Sequence, residues 1–574
     1  MKNRKLLRTW GLLASTTMLL PLVAGSLGTG LVADAAAQDT QPDTISITLH
    51  KKKFNSNEGL DEAAKPNTGL VETFGGEALN GVDFSMYDVT DTYYNLLADN
   101  PETEDINDDG MDQQDAIDWI EANWDAKYVK DNYTFVEMKT TTGTGEAAFT
   151  NIATKESGDN GRNRVIMFLE TYSPADVNVI SAPMVVHMPV MMPDLTGEWD
   201  GTAWLDTYND DVHLYPKNVV QESAKNVLNA TPTEITYTKD GETHTASVID
   251  LEKGVPLDYQ IQVPVPYFID KVDTTGKAVI QNFKIVDTPI LNLALIPGSL
   301  TVTAGTTVLD EGTDYTLEPA EEGGFELVIL TDIGDPAQAN TTTLDKLAAV
   351  KGGVLTVDYQ MLLTGDAIPD ELHGNTATID IGRGDDYDYK AEVTPPEKPV
   401  TGGRKFAKID GSSKVELDGA EFILWNEDKT EYAVFYDGEA AVAEYAGKHD
   451  SVEWVTPAED APKATVFTTT DGLFEVDGLK YGSYVMEEKV APDGYALPTN
   501  GLQYTDFEVF FGSYDYDIVN AEVGEAASDV TVYNTKKGAL PSTGGTGIFA
   551  FLAVGTALMM GAYLWFKNSK KQEV

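Results

Sequence analysis

Lysine side chains are the nucleophiles this chain has to offer. It has no cysteine, so thiol chemistry, disulfides and thiolate metal sites are all excluded. Its six histidines show neither HExxH nor a paired spacing, and no P-loop or G-x-S-x-G elbow occurs. Asp105-Ile-Asn107-Asp-Asp109-Gly110 imitates the first half of a calcium loop. Ala116 then stands where a bidentate carboxylate is needed, with Asp115 and Asp118 the nearest substitutes. No metal or other cofactor is expected. A lysine amine attacks only when deprotonated, and it starts near pKa about 10.4. A reactive lysine here must therefore be positioned and relieved of its proton.

The two ends of the chain say where that chemistry takes place. Leu540-Pro-Ser-Thr-Gly544 is followed by an apolar run from Gly547 to Phe566 and then by KNSKKQEV. A run of about 20 apolar residues is long enough to cross a bilayer as a helix, and lysines beyond it favour a cytoplasmic end. At the other end MKNRKLLR is basic, Trp10 to Val32 is mostly apolar, and Ala33-Asp34-Ala35 offers small residues for cleavage, giving a signal peptide over 1–37. Pentapeptide, apolar span and basic tail together resemble the cell-wall sorting signal of Gram-positive surface proteins. In that family a sortase reads Leu540, Pro541, Ser542, Thr543 and Gly544 as one signal. It cuts between Thr543 and Gly544 and passes the threonine carbonyl to an amine. The resemblance implies a secreted protein, transiently in the membrane and then joined to peptidoglycan.

Composition adds exclusions. Lysine plus arginine total 40 against 93 acidic residues, a formal charge of −53, which argues against nucleic acid or an anionic membrane as partner. Period-two alternation recurs at Ile45–Leu49, Val212–Leu214, Val263–Tyr267, Gly353–Tyr359, Ala420–Leu424 and Val530–Tyr533, each a strand with one buried face. An all-β architecture of tandem immunoglobulin-like sandwiches is expected. The one helical pattern runs from Asp112 to Trp124. A Pro/Gly stretch over 396–403 reads as a linker, giving domains at 38–218, 219–395 and 404–537, followed by the sorting segment at 540–574.

Two internal motifs extend the resemblance. Tyr208-x-x-x-Val212-His-Leu214-Tyr215-Pro216-Lys217 is similar to the pilin motif WxxxVxVYPK, with tyrosine in the tryptophan place. YVMEEKVAPDGY resembles the E box of the same pilins through Tyr484, Met486, Glu488, Ala491, Pro492, Gly494 and Tyr495, with Lys489 where threonine is usual. IMFLETYSPADV is a partial copy that keeps Leu169-Glu170-Thr171 and Pro174 but lacks the glycine and tyrosine. The chain thereby resembles the sortase-assembled major pilins of the SpaA type, with CnaA-like and CnaB-like domains. In that family the motif lysine accepts the threonine acyl group of the next subunit, which assigns Lys217 as acceptor and Thr543 as donor.

Such domains also join a lysine to an asparagine with loss of ammonia, assisted by an acid. Burial raises a carboxyl pKa and lowers a lysine pKa, so a neutral acid and a neutral amine can coexist. In the third domain RKFAKIDGSSKVELDGAEFIL resembles a CnaB opening and nominates Lys408, with Asn534 on VTVYNTKK and Glu488 as assisting acid. Lys405 lies an odd number of residues from Lys408 and so faces the other side of a strand. For the CnaA-like middle domain the nominees are Asp287, Asn375 and, on spacing alone, Lys225. In the first domain alternation turns Lys51 inward, with Lys53 on the same parity. Glu170 and Asn218 are its nominated partners.

The expected function is that of a pilus backbone subunit, a substrate of sortase with no enzymatic activity toward other molecules. Its implied partners are sortase, other copies of itself, minor pilins, peptidoglycan and host matrix or cell-surface ligands. The second reading is a monomeric wall-anchored adhesin or minor pilin, which would not need Lys217.

Overall fold

A computed structural model describes residues 40–538 except 56–66, 74, 100–109, 125–128, 130, 159–160, 197–202, 291 and 384–388, together with 554–560 and 562 near the tail. The signal peptide, the pentapeptide and the calcium-like loop therefore lie outside the described residues, as does most of the apolar span. Among the described residues no helix is long and apolar enough to cross a membrane.

The chain is all-β, built as sandwiches in series. In the first, the opening strand Thr44–His50 buries Ile45, Ile47 and Leu49, because alternation puts every second side chain on the core face. It pairs in parallel with Asp211–Leu214 and antiparallel with Glu146–Ala153. Lys52–Phe54 then pairs in parallel with Lys217–Val220. The opposite sheet carries Asp83–Asp88, Val165–Tyr172 and Met184–His187. Between the two sheets lie Phe84, Phe149, Phe168, Val212 and Leu214.

The helix expected at Asp112–Trp124 occupies Gln113–Ala122, with the Asp112 carboxylate accepting the Asp115 N–H at 2.8 Å as an N-cap. A second helix, Thr90–Ala98, lacks an obvious sequence signal, five of its nine residues being threonine, tyrosine or asparagine. Both helices cover the outer face of the second sheet through Tyr93, Leu96, Ile117 and Ile120.

The middle sandwich faces a sheet containing Ala224–Val227, Leu257–Pro264 and Val354–Leu363 against one containing Asn282–Pro289 and Asn375–Gly382. The strand expected to reach Tyr267 stops at Pro264, since neither Pro264 nor Pro266 has an N–H for the ladder. The third sandwich sets Gly402–Asp410, in parallel with Val530–Lys536, against a sheet of Glu421–Asn426, Gly482–Val490 and Tyr504–Val509.

The stretch expected to be a linker, 396–403, is largely strand. Glu397–Val400 pairs in parallel with Glu242–Asp250, register Ser247↔Glu397 to Asp250↔Val400, and Gly402 opens the next strand. Pro399 is accommodated because this strand is the edge of its sheet. The hairpin Thr233–Lys239 and Glu242–Asp250 also pairs with Val519–Asn520. One four-stranded sheet thus crosses from the middle sandwich to the third, over a small core of Val248, Val400, Phe511 and Ile518.

Candidate functional sites: three buried lysine–carboxyl–amide clusters

The opening and closing strands of the first sandwich lie side by side, which brings Lys51 to Asn218 across 167 residues of sequence. Lys51 Nζ donates to Glu170 Oε2 at 2.7 Å and to Asn218 Oδ1 at 2.5 Å, while Asn218 Nδ2 donates to Glu170 Oε1 at 2.7 Å. The Ser181 N–H and hydroxyl also donate to Glu170 Oε2, at 3.0 and 2.7 Å. All three members of the triangle are at most 1% exposed. Lys53 is not part of it, and pairs instead with Glu77 at the surface, 3.5 Å away.

The third sandwich repeats the arrangement. Lys408 Nζ donates to Glu488 Oε2 at 2.7 Å and to Asn534 Oδ1, and Asn534 Nδ2 donates to Glu488 Oε1 at 2.7 Å. Lys405 points the other way, over the ring of Tyr514 at 4.1 Å. Tyr495 of the E box ties the closing turn down, its hydroxyl donating to Asp410 Oδ2 at 2.8 Å.

The floor of each triangle is an aromatic ring that sequence reasoning missed. Lys51 Nζ lies 5.3 Å from the Phe84 centroid and Lys408 Nζ 5.3 Å from that of Phe422. Phe84 is the cross-strand partner of Glu170, and Phe422 of Glu488. In both ladders the register slips immediately beside that pair, between Asp83 and Phe84 and between Glu421 and Phe422. Such a bulge re-aims the side chain next to it, here the glutamate. The usable signal was the repeated G-x-[DE]-F of Gly81-Val-Asp83-Phe84 and Gly419-Ala-Glu421-Phe422.

The middle cluster spans two facing sheets. Lys225, on one, donates to Asp287 Oδ2 on the other, and Tyr359 O–H donates to the same oxygen at 2.7 Å. Asn375 is close but not bonded to Lys225. Its Nδ2 faces the Tyr359 hydroxyl at 3.4 Å and Met361 Sδ at 2.9 Å. Asn375 Oδ1 and Asp287 Oδ1 have no hydrogen-bond partner. Tyr359, absent from the sequence-based site, lies on the strand Val354–Leu363 at an inward position of its alternation.

Burial lowers the basicity of every one of these lysines. Loss of hydration pushes the Lys51 and Lys408 ammonium groups below the ordinary lysine range against the pull of their glutamates. Lys225 is brought down to about 8 by the same loss of hydration, despite Asp287.

Lys217 sits one residue before Asn218 and so points away from the cluster. It is half-buried, and that burial lowers its pKa. The motif is pinned on both sides. The Tyr215 hydroxyl donates to Glu72 O at 3.1 Å and accepts from Glu72 N at 2.6 Å, and its ring stacks on His50 at 4.8 Å. His50 and His213 share a hydrogen bond of 2.9 Å. Among the described residues no group of three histidine or acidic side chains could hold a metal.

Sandwiches in series, each enclosing a lysine cluster, ahead of a C-terminal sorting signal define a structural protein of the cell surface. Residues 42–219 match the Gram-positive pilin subunit D1 N-terminal domain, 402–509 the SpaA prealbumin-like fold domain, and 533–574 the LPXTG cell wall anchor motif. The chain is thus assembled from Gram-positive pilin domains and a cell wall anchor, the parts of a wall-anchored subunit of a surface pilus. It is 25% identical over 568 residues to fimbrial subunit type 2 of Actinomyces naeslundii, covering 90% of this chain and 87% of that one. Among solved structures it is similar to the full-length major pilin SpaD of Corynebacterium diphtheriae, with 21% identity, 87% and 100% coverage and TM-score 0.38. It is also similar to RrgB of Streptococcus pneumoniae, with 17% identity, 88% and 100% coverage and TM-score 0.46.

Proposed function

We propose that subunits are strung together by an amide between the Thr543 carbonyl and Lys217 Nζ of the next copy, and that each sandwich is closed by a lysine–asparagine amide. Sortase supplies the activated threonine acyl group, and this chain is substrate rather than enzyme. Peptidoglycan takes the last subunit, and minor pilins and host ligands are further partners of the finished fibre.

The observation that carries the internal bonds is the closed triangle of Lys51, Glu170 and Asn218 and its repetition at Lys408, Glu488 and Asn534. The neutral amine attacks Cγ of the amide, a bond forms from Nζ to Cγ, and the bond from Cγ to Nδ2 breaks. The carboxyl touches both nitrogens. It takes a proton from the attacking one and delivers a proton to the leaving one, which departs as ammonia, so the acid ends as it began. Placement within 3 Å replaces an external catalyst. Asp287 serves Lys225 and Asn375 in the same way once the Asn375 amide turns toward the lysine.

Lys217 suits the acceptor role because it faces outward from a pinned strand and burial favours its neutral form. Cell-wall extracts run on a denaturing gel test the reading: a ladder of high-mass species is expected, and Lys217→Ala should reduce it to single copies. A ladder that persisted unchanged in that variant would reject Lys217.

A further inference from the structure

A fourth buried lysine lies outside the three clusters, at the joint between the middle and third sandwiches. Lys253 is 1% exposed, and its Nζ donates to Asp477 Oδ2 and to the Gly365 carbonyl, both at 3.0 Å. Asp477 belongs to the third sandwich, 224 residues away. Its other oxygen accepts the Tyr445 hydroxyl, and His449 Nδ1 lies 3.4 Å from it. His449 is fully buried, with its ring 4.1 Å from that of Phe435.

The site is built rather than incidental. Gly478 has φ +73°, and a Cβ there would come within 2.4 Å of His449 Nε2 and 2.8 Å of Lys253 Cδ. Glycine at 478 is therefore what lets the lysine enter. Around it Trp454 Nε1 donates to both oxygens of Glu252, at 2.7 and 3.0 Å. Asp370 accepts the backbone N–H groups of Tyr514 and Asp515 at 2.8 and 3.0 Å. The cluster differs from the other three in what faces the lysine. A main-chain carbonyl, Gly365 O, stands where they hold an asparagine amide, so no amide nitrogen is there to leave.

We propose that Lys253 and Asp477 form a non-covalent latch that fixes the angle between the middle and third sandwiches. Domains in series move against one another unless their interface is large and well packed. The apolar core of this joint is small, so the buried pair and the sheet that crosses the joint set its stiffness. Neutralising one partner leaves the other charge buried and uncompensated, and the joint opens to hydrate it.

Because the chain has no cysteine, two can be introduced at the exposed positions Val308 and Leu502 and labelled for inter-sandwich distance measurement on the whole ectodomain. The parent should give one narrow distribution, and Lys253→Met should lose it to a broad one while the ammonia losses of the three clusters stay complete. Asp477→Asn, which keeps the shape, should broaden it as well. A distribution that stayed narrow in both variants would overturn the latch. So would an additional loss of water, about 18 Da, mapped to a Lys253–Asp477 peptide pair, since that pair would then be covalent.

Discussion

Lys217 and Asn218 are consecutive residues of one strand whose side chains face opposite ways: the lysine half-buried on the outer face, the amide fully enclosed against Lys51 and Glu170. A single dipeptide thus holds both the proposed acceptor for the neighbouring subunit and the proposed partner for the strand beside it. The register Lys217↔Lys52 places the proposed acceptor directly opposite the residue that follows Lys51. The link between subunits and the link within the sandwich would share a few ångströms of backbone.

Because the two groups face apart, they should separate genetically. Lys217→Ala should abolish polymerisation and leave the Lys51–Asn218 bond in place, seen as an unchanged ammonia loss in the intact mass of the ectodomain. Asn218→Ala should restore about 17 Da and keep Lys217 chemically present. If Lys217→Ala also restored that mass, the outward lysine would have a part in the internal chemistry that the geometry does not give it.

Each acid should govern one bond. Glu170→Ala, Asp287→Ala and Glu488→Ala should each show one ammonia loss fewer, an intact mass about 17 Da above that of the substituted sequence with all three bonds formed, with peptide mapping assigning the change to its own sandwich. Closing a loop of 126 residues, as between Lys408 and Asn534, is worth about 5 kcal/mol in chain-entropy terms. Glu488→Ala also leaves a buried ammonium unpaired, which acts in the same direction. Loss of the bond should lower the melting temperature of the third sandwich by roughly 20 °C. A parent ectodomain whose mass equalled the plain sequence would dispose of all three bonds.

The strands were legible because alternation survives in residues such as Ile45, Ile47 and Leu49, and the glutamates because the surrounding motif singles them out from solvated strand positions. Phe84, Phe422 and Tyr359 were not, since an inward aromatic on a strand looks the same whether it fills a core or floors a lysine site. The crossing sheet was hidden for a different reason. The strands that flank its hairpin are four and two residues long, one contains Pro399, and prolines in a short stretch read as a break unless the strand is known to be an edge. Lys253 carries no local signal at all, because its partner Asp477 is supplied by the next sandwich.

The middle bond should show the clearest dependence on pH. With Lys225 brought down to about 8, roughly a tenth of it is neutral at pH 7 and most of it at pH 9. Ectodomain purified unfolded, before any bond has formed, and refolded across that range should lose the middle ammonia faster as pH rises, levelling off above about 8. Folding linkage runs the same way. The unfolded lysine keeps its proton up to about 10.4 while the folded one gives it up near 8, so burial of Lys225 costs stability that is regained as pH rises between those values. A middle-bond rate flat from pH 6 to 9 would show that the proton on Lys225 is not what limits the step.

Tyr359→Phe isolates a single hydroxyl at that site. The ring remains stacked on Tyr259, 5.6 Å between centroids, and the apolar wall around Lys225 is preserved. What goes is the 2.7 Å hydrogen bond to Asp287 Oδ2, the oxygen that also receives Lys225. Without it Asp287 is held by the lysine alone and is free to turn within its pocket, so the acid spends less time where it can serve both nitrogens. A positioning donor of this kind is worth about 2 kcal/mol, which corresponds to a rate of middle-bond formation lower by roughly 30-fold. The first and third bonds, whose carboxyls have no tyrosine donor, should form at the parent rate in the same refolding experiment, which makes them internal controls for folding. Equal rates of ammonia loss at all three sites in parent and variant would remove Tyr359 from the mechanism and leave it a core residue.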